Sequence, residues 1–180
     1  MADLVREPVS FGDLERWSDG GRLFAILDAC DQPAVPEFCQ DQPDDIARSL
    51  YLGRADEELW AIAPYVVRVE PATLAWIRSD LWAEPWGVFL AADARLDELH
   101  RHFRQFLIVS GPQGQDWYFR FYDPRVLPRF LTSASVEDAE RFFGPVAAYA
   151  VPDGAQCLGL SRGTAPVGRG PIRITLGRPS

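Results

Sequence analysis

Short apolar runs alternate with helical patterns along the chain from residue 22 onward. Four of them, RLFAILD (22–28), RSLYLG (48–53), YVVRVE (65–70) and WGVFLA (86–91), are bounded by Gly, Pro or acidic residues and predict β-strands. Several are apolar at consecutive positions, as expected of an interior strand that is covered on both faces. The alternation predicts an α/β fold, of mixed α+β character, with a central mixed β-sheet and helices packed on it.

The second half of the chain predicts helices around a β-hairpin. In DARLDELHRHFRQ, Leu96, Leu99 and Phe103 recur at spacings of three and four residues, which indicates an amphipathic helix. FLIVS and DWYFRFYD are separated by the five residues GPQGQ and predict a hairpin. Ser135 is a predicted N-cap for a short helix over VEDAERFF, and VAAYAVP and QCLGL then predict two closing strands.

These patterns divide the chain into three parts. Residues 1–21 form an N-terminal lead-in, residues 22–145 form the α/β domain, and residues 146–180 hold the closing strands and a tail. The stretch SRGTAPVGRGP, from residue 161, is rich in Gly and Pro and is typical of a mobile linker. The following IRITL either adds one edge strand or stays loose.

Charge is distributed unevenly and argues against nucleic acid as a partner. All 18 cationic side chains are Arg, and the net charge of the chain is -8. Residues 1–60 hold 14 acidic residues against 5 arginines, a net charge of -9. Phosphate backbones are repelled by such a segment.

The sequence predicts a cytoplasmic protein that uses no membrane anchor. No run approaches the roughly 18 apolar residues of a membrane helix. The N-terminus MADLVREPVS lacks the basic and apolar segments of a secretory signal.

No residue pattern predicts a cofactor or a metal. The two histidines, His100 and His102, lie about 200° apart on the predicted helix, so they cannot bind one ion together, and we expect both to be solvated. The three cysteines form no CxxC pair and are expected to be buried or inert thiols. Signatures of dinucleotide sites, P-loops and nucleophile elbows do not occur.

The stretch FRFYDPRVL (119–127) places charges inside an aromatic run. As a continued strand it would point Arg120 between two tyrosines. A buried guanidinium needs a carboxylate or carbonyl partner, and Asp28, at the end of RLFAILD, is one candidate. Asp123 before Pro124 suits a strand end at which the Asp side chain caps the next turn. Arg125 would then emerge at the strand end. Physical chemistry favours structural roles for Arg120 and Asp123 and leaves Arg125 open.

The ordered set PYVVRV, WGVFLA, LDELHRHFRQFLIV and FRFYDPRVLPRFL resembles the type VI secretion effector chaperone or adaptor family, long catalogued as a domain of unknown function. The likeness spans roughly residues 22 to 145. Its most specific parts are Trp86-Gly87 and the run from Phe119 to Arg125, and LFAILDA with Asp28 is a weaker match. The chain departs from the family at Pro128, which is expected to interrupt the helix after Arg125.

The resemblance implies a cytoplasmic adaptor that is not an enzyme. Such a protein holds one toxic effector and helps load it onto the trimeric spike protein VgrG, without metal or other cofactor. Arg120, Asp123, Arg125, Trp86 and Asp28 carry over as motif positions that bind a partner or support the site. Exposed tryptophans are candidate interface anchors; the candidates are Trp60, Trp76 and Trp82.

Two other functions remain open at this point. Arg120 and Asp123 could serve an enzyme if both lined a deep cleft together with His100 or a cysteine. An immunity protein would instead use the acidic surface to block the basic active site of a toxin.

Overall fold

A computed structural model describes residues 4–30, 32–110 and 113–162. Its main sheet has seven strands in the order β1-β9-β8-β5-β2-β4-β3, and a separate hairpin pairs β6 with β7. The strands are β1 (Leu4–Val9), β2 (Leu23–Asp28), β3 (Ala47–Ser49), β4 (Pro64–Arg68), β5 (Gly87–Ala92), β6 (Ile108–Ser110), β7 (Asp116–Tyr118), β8 (Val146–Asp153) and β9 (Gln156–Arg162).

Seven α-helices and two irregular helical turns connect these strands within the described part of the chain. A 3₁₀ turn (Trp60–Ile62) follows α3, and a π-helical turn (Ile77–Leu81) extends α4. The helices are α1 (Phe11–Asp19), α2 (Ala34–Gln40), α3 (Arg54–Leu59), α4 (Pro71–Trp76), α5 (Leu96–Arg104), α6 (Leu127–Ser133) and α7 (Val136–Phe143).

The predicted α/β class is confirmed, with helices packed on both faces of the central sheet. Every residue of β2 and of β5 is buried, as expected for interior strands. In β2, Phe24 and Ile26 belong to one core with α5, α6 and α7, whereas Leu23, Ala25 and Leu27 belong to a second core with α1, α2 and α4. The period of two along a strand thus divides its side chains between two cores.

Strand pairing differs from the expected mixed sheet, because each described pair of neighbouring strands is antiparallel. β4 and β5 run in the same direction, but β2 lies between them and pairs with both. Alternation of strand and helix along the sequence therefore occurs here without two parallel neighbours. The order of the strands in space is set by packing between distant segments, and the local hydrophobic pattern carries no information about that packing.

The predicted N-terminal lead-in contains a strand of the main sheet. β1 pairs with β9 along its whole length, from Leu4 opposite Arg162 to Val9 opposite Cys157. α1 follows at once, and its N-cap Ser10 forms a capping box with Asp13. β1 is largely exposed, so its sequence lacked the apolar alternation that predicts a strand. At the other terminus, IRITL lies outside the described residues.

Local predictions for the second half hold with shorter boundaries. The helix over DARLDELHRHFRQ, the five-residue hairpin loop and the cap of α7 are confirmed, and Asp138 N–H donates to Ser135 Oγ at 3.0 Å. The expected interruption at Pro128 is wrong. α6 begins at Leu127, which places Pro128 in the first helical turn, where its missing N–H costs no hydrogen bond. Among the described residues, no helix has the length and apolar content needed to cross a membrane.

Candidate functional site

Asp28 is the buried carboxylate at one end of the central strand β2. Its backbone N–H donates to Trp86 O at 2.7 Å, and its Oδ1 accepts from Cys30 N–H at 3.0 Å. Its side chain is only 3% exposed. A carboxylate at this depth requires a charge partner, because an unpaired buried charge is strongly destabilising.

Arg120 is that partner, as the sequence predicted. Its Nη2 lies 2.5 Å from Asp28 Oδ2, in a contact between residues 92 positions apart. The Arg120 side chain remains 41% exposed, so the Asp28 end of the pair is buried and the Arg120 end is in contact with solvent. The hydrogen bond to Asp28 raises the pKa of Arg120 and outweighs the opposing effect of burial. The guanidinium therefore stays charged.

The strand predicted through FRFYD ends earlier than expected. β7 stops at Tyr118, and Phe119 N–H donates to Leu107 O at 2.8 Å before the chain turns. Phe121 and Tyr122 are both buried, as expected of a segment with bulky side chains on both faces. The prediction of a continued strand through Arg120 is wrong, because the strand ends at Tyr118. Packing of the aromatic rings against α5, α6 and α7 replaces the strand geometry.

Asp123 organises the turn that leads into α6. Its Oδ1 accepts from Arg125 N–H at 2.8 Å and from Arg125 Nε–H at 2.9 Å, while Oδ2 accepts from Nη2 at 2.6 Å. Its carbonyl accepts from Val126 N–H and Leu127 N–H. One aspartate thus caps the turn, as predicted, and also holds a guanidinium by a two-pronged contact.

Arg125 is the exposed cation of this cluster. Its side chain is 68% exposed, whereas that of Asp123 is 8% exposed. Burial acts to raise the pKa of Asp123, but hydrogen bonds from Arg125 outweigh it and hold that pKa below its ordinary value of 3.8. The hydrogen bonds that the Arg125 guanidinium donates to Asp123 also raise the pKa of Arg125. The result is a permanently charged guanidinium held in a fixed orientation toward solvent.

Trp86 and Gly87 serve the core next to Asp28. Trp86 is fully buried and packs edge-on against Phe89 at 4.8 Å between ring centroids. Gly87 has φ 144°, and a Cβ at this position would lie 2.0 Å from Ile26 O. Only glycine lets β5 approach β2 this closely. The Trp-Gly pair of the motif is therefore architectural and offers no exposed contact surface.

Three tyrosines, Tyr51, Tyr118 and Tyr122, form a row beside the charged cluster that the sequence did not predict. The Tyr122 hydroxyl donates to the Tyr118 hydroxyl at 3.4 Å, and the Tyr118 ring meets the Tyr51 ring edge-on at 6.0 Å. Tyr51 comes from the segment after β3, more than sixty residues away in sequence. Because spacing along the chain does not reveal such a contact, only the tertiary structure could identify this row.

The two histidines are not the solvated side chains that the helix pattern predicted. His100 is buried, and its Nε2 lies 2.8 Å from Ser49 O. His102 is half-buried, and its Nε2 lies 2.8 Å from Phe142 O. They point to different sides of α5, as expected from their spacing. Desolvation lowers the pKa of both, so both are neutral near pH 7.

The cysteines include the buried thiols that were expected. Cys39 and Cys157 are buried, and burial raises the pKa of Cys157 to about 12. A thiol with such a pKa stays protonated and is a poor nucleophile. Across residues 4–30, 32–110 and 113–162, no three His, Cys, Asp or Glu side chains come together as a metal-binding group.

Of the three candidate anchor tryptophans, Trp60 is the exposed one. Trp76 is half-buried and stacks on Phe38 at 4.3 Å. Trp82 is half-buried, and its Nε1–H donates to Gly154 O at 2.8 Å. Trp76 and Trp82 therefore pack against the rest of the fold, whereas Trp60 is exposed to solvent in the turn after α3.

The structure therefore gathers Asp28, Arg120, Asp123 and Arg125 at one end of β2, with Trp86 buried beneath. Comparison with curated proteins gives no match, and comparison with solved structures gives none either. The model of the family described as "Domain of unknown function (DUF4123)" matches residues 23–141. This match includes the five motif residues and covers more than half of the chain. The chain belongs to the DUF4123 family.

Proposed function

We propose that this chain is a cytoplasmic adaptor that binds one type VI secretion effector and helps load it onto the VgrG spike protein. The observation that carries the proposal is Arg125, an exposed guanidinium that a buried carboxylate fixes in place, within the motif that resembles effector chaperones. A preorganised cation loses little conformational freedom when a partner binds. This arrangement suits a contact residue for a carboxylate or a backbone carbonyl of another protein.

The chemistry of the charged cluster supports binding over catalysis. Asp28 is paired with Arg120, and Asp123 with Arg125. The lowered pKa of Asp123 keeps that group charged at neutral pH, whereas a general acid or base needs a pKa near the working pH. His100 lines a groove at β3 whose lining includes neither Arg120 nor Asp123. His100 is thus separated from Arg120 and Asp123.

Co-expression with the neighbouring effector and VgrG genes tests the proposal. We expect a stable complex with the effector, and we expect Arg125→Ala to weaken its affinity by roughly tenfold or more, as truncation of a central arginine contact does. Arg16→Ala is the matched control, because Arg16 is 72% exposed and also pairs with an aspartate close in sequence, Asp13. The control should bind as the wild type does.

Three outcomes would count against the adaptor role. The first is that the chain, co-expressed with both candidate partners, purifies without either of them. The second is that Arg125→Ala binds the effector as tightly as Arg16→Ala does. The third is that loading of the effector onto VgrG is the same with and without the chain. Protection of cells from the toxin without any effect on loading would identify an immunity protein instead. Melting temperatures of both variants must match that of the wild type for the comparison to hold.

A further inference from the structure

A groove of about 400 Å³, the β3 groove, lies beside β3, which is the terminal strand of the main sheet. It runs from the loop after α2, past β3, to α3 and the 3₁₀ turn. The residues that matter for binding are Asp44, Tyr51, Leu52, Asp56, Glu57 and Trp60. The motif residues do not line it.

The β3 groove has exposed apolar anchors that the fold does not cover. Leu52 and Trp60 are both exposed large side chains on its wall. Trp60 is held from below, because the Tyr65 hydroxyl donates to its carbonyl at 2.8 Å. A tryptophan on a fixed backbone supplies a large contact area at a small entropic cost.

The apolar surface continues from the groove onto the β6–β7 hairpin. Tyr51, on the groove wall, meets the exposed Tyr118 ring, and Tyr118 lies directly opposite the exposed Ile108 in the hairpin. Residues directly opposite each other in an antiparallel pair share one face. The apolar surface therefore extends from Tyr51, next to Leu52 in sequence, through Tyr118 to Ile108.

The groove is also acidic. Asp44, Asp56 and Glu57 contribute three carboxylates, against the single guanidinium of Arg48. In the part of the chain that the structure describes, none of these three carboxylates forms a salt bridge. Such a lining repels anions and attracts cationic groups.

The backbone of β3 is partly engaged on its outer edge, which disfavours recognition by strand addition. Ala47 N–H donates to Pro43 O at 3.1 Å, and Ser49 O contacts His100 Nε2 at 2.8 Å. Side chains of the groove are therefore left to make the contacts. This distinguishes the site from an edge strand that is free to pair with a peptide.

We propose that the β3 groove binds a segment of the protein partner that presents an arginine or lysine next to an aromatic or aliphatic side chain. The cation meets Asp56 and Glu57, and the apolar residue packs on Leu52 and Trp60. This inference rests on the proposed function only in taking the partner to be a protein. It adds a second contact surface and the chemistry that this surface selects.

The first experiment uses the effector complex described above. Trp60→Ala and the pair Asp56→Asn/Glu57→Gln should each weaken binding by about tenfold. Raising the salt concentration from about 0.05 M to 0.5 M should weaken the wild type more than the charge-neutralised pair, in which the salt dependence that remains comes from other contacts such as Arg125. Matched controls are Val136→Ala, an exposed residue at the start of α7, for apolar truncation, and Glu137→Gln/Glu84→Gln, for charge removal. Both controls should bind as the wild type does.

The second experiment does not need the effector. Two synthetic peptides of about 12 residues, one alternating Arg with Leu and Trp and one with Glu in place of Arg, are titrated into ¹⁵N-labelled full-length protein. The basic peptide should shift the amide signals of Leu52, Asp56 and Trp60, and the acidic peptide should leave them unchanged.

The outcomes separate the two proposals. If the effector binds but the groove variants retain wild-type affinity, the β3 groove is not a contact surface and the adaptor function stands. If no effector binds but the basic peptide shifts the groove signals, the groove inference holds and the adaptor proposal fails. Equal shifts with both peptides, or none with either, would overturn the groove inference.

Discussion

At the scale of single residues, the two ion pairs of the motif differ in what they do. Asp28 and Arg120 join the end of β2 to the chain after β7, so this pair fixes tertiary structure. Asp123 and Arg125 are two positions apart, so their pair shapes a local turn and leaves the guanidinium toward solvent. We therefore expect the Asp28–Arg120 pair to contribute to the stability of the fold and the Asp123–Arg125 pair to contribute to partner binding.

Arg120→Ala should lower the free energy of unfolding by about 1–3 kcal/mol, because Asp28 would remain buried and charged without its partner. We place the loss below that of a fully buried pair, because solvent reaches Arg120 and screens the interaction. Urea denaturation measures it. Adding Asp28→Asn should recover part of the loss, whereas Arg16→Ala should change little. A wild-type free energy in Arg120→Ala would refute the structural role.

At the scale of elements, the centre of the sheet depends on one close approach of backbones. β5 enters beside β2 at Gly87, where Leu27 is its register partner, and Asp28 follows directly. A side chain at Gly87 would push β5 away from β2 and move the carboxylate that Arg120 binds. The glycine therefore links the sheet to the charged cluster.

Gly87→Ala should destabilise the protein by roughly 3 kcal/mol or more, because it combines an unfavourable positive φ with a collision against Ile26 O. Gly154→Ala is the matched control, since Gly154 also has positive φ, 61°, but a Cβ there meets nothing within 4 Å. It should cost about 1 kcal/mol from backbone strain alone. Thermal unfolding compares the two. Equal melting temperatures would show that the close approach does not matter.

At the scale of the whole molecule, helices cover both faces of the sheet, and the buried His100 and the half-buried His102 join α5 to its neighbours. His100 contacts the end of β3, and His102 contacts the end of α7. Each Nε2 faces a carbonyl oxygen, which only accepts, so each Nε2 carries the proton of a neutral ring. Their positions connect α5 to two separate parts of the fold.

Stability should fall as the pH drops below about 6.5. Burial lowers the pKa of both histidines in the folded state, so the unfolded chain binds protons first and acid favours unfolding. The slope in this window is at most about 1.4 kcal/mol per pH unit for each histidine. Asp123 adds a second loss below pH 3.8, because its lowered pKa stabilises the fold only while it is ionised.

Urea denaturation at a series of pH values between 8 and 5 measures the first window. His100→Gln/His102→Gln is the control, because glutamine can donate to the same carbonyls and does not titrate. The double variant should show a flat profile over this range. A wild-type profile that is equally flat would mean that the histidines titrate normally in the folded protein.

The sequence by itself determined the features that depend on near neighbours in the chain. Continuous apolar runs identified β2 and β5, spacings of three and four identified α5, and the Asp-Pro step identified the turn before α6. The sequence also offered Asp28 as one candidate partner for Arg120, because a buried guanidinium requires a carboxylate or a carbonyl, but only the fold brought the two together. Periodicity and capping are local properties, so they can be read from a single sequence.

Only the tertiary structure decided the features that depend on packing between distant segments. It brought the exposed strand β1 to β9, ended β7 at Tyr118 and buried His100. It also formed the tyrosine row and the β3 groove from segments more than sixty residues apart. Burial and proximity of this kind arise from how the layers of the fold pack. The hydrophobic pattern determines which faces must be covered, but it does not determine which segment of the chain covers each face.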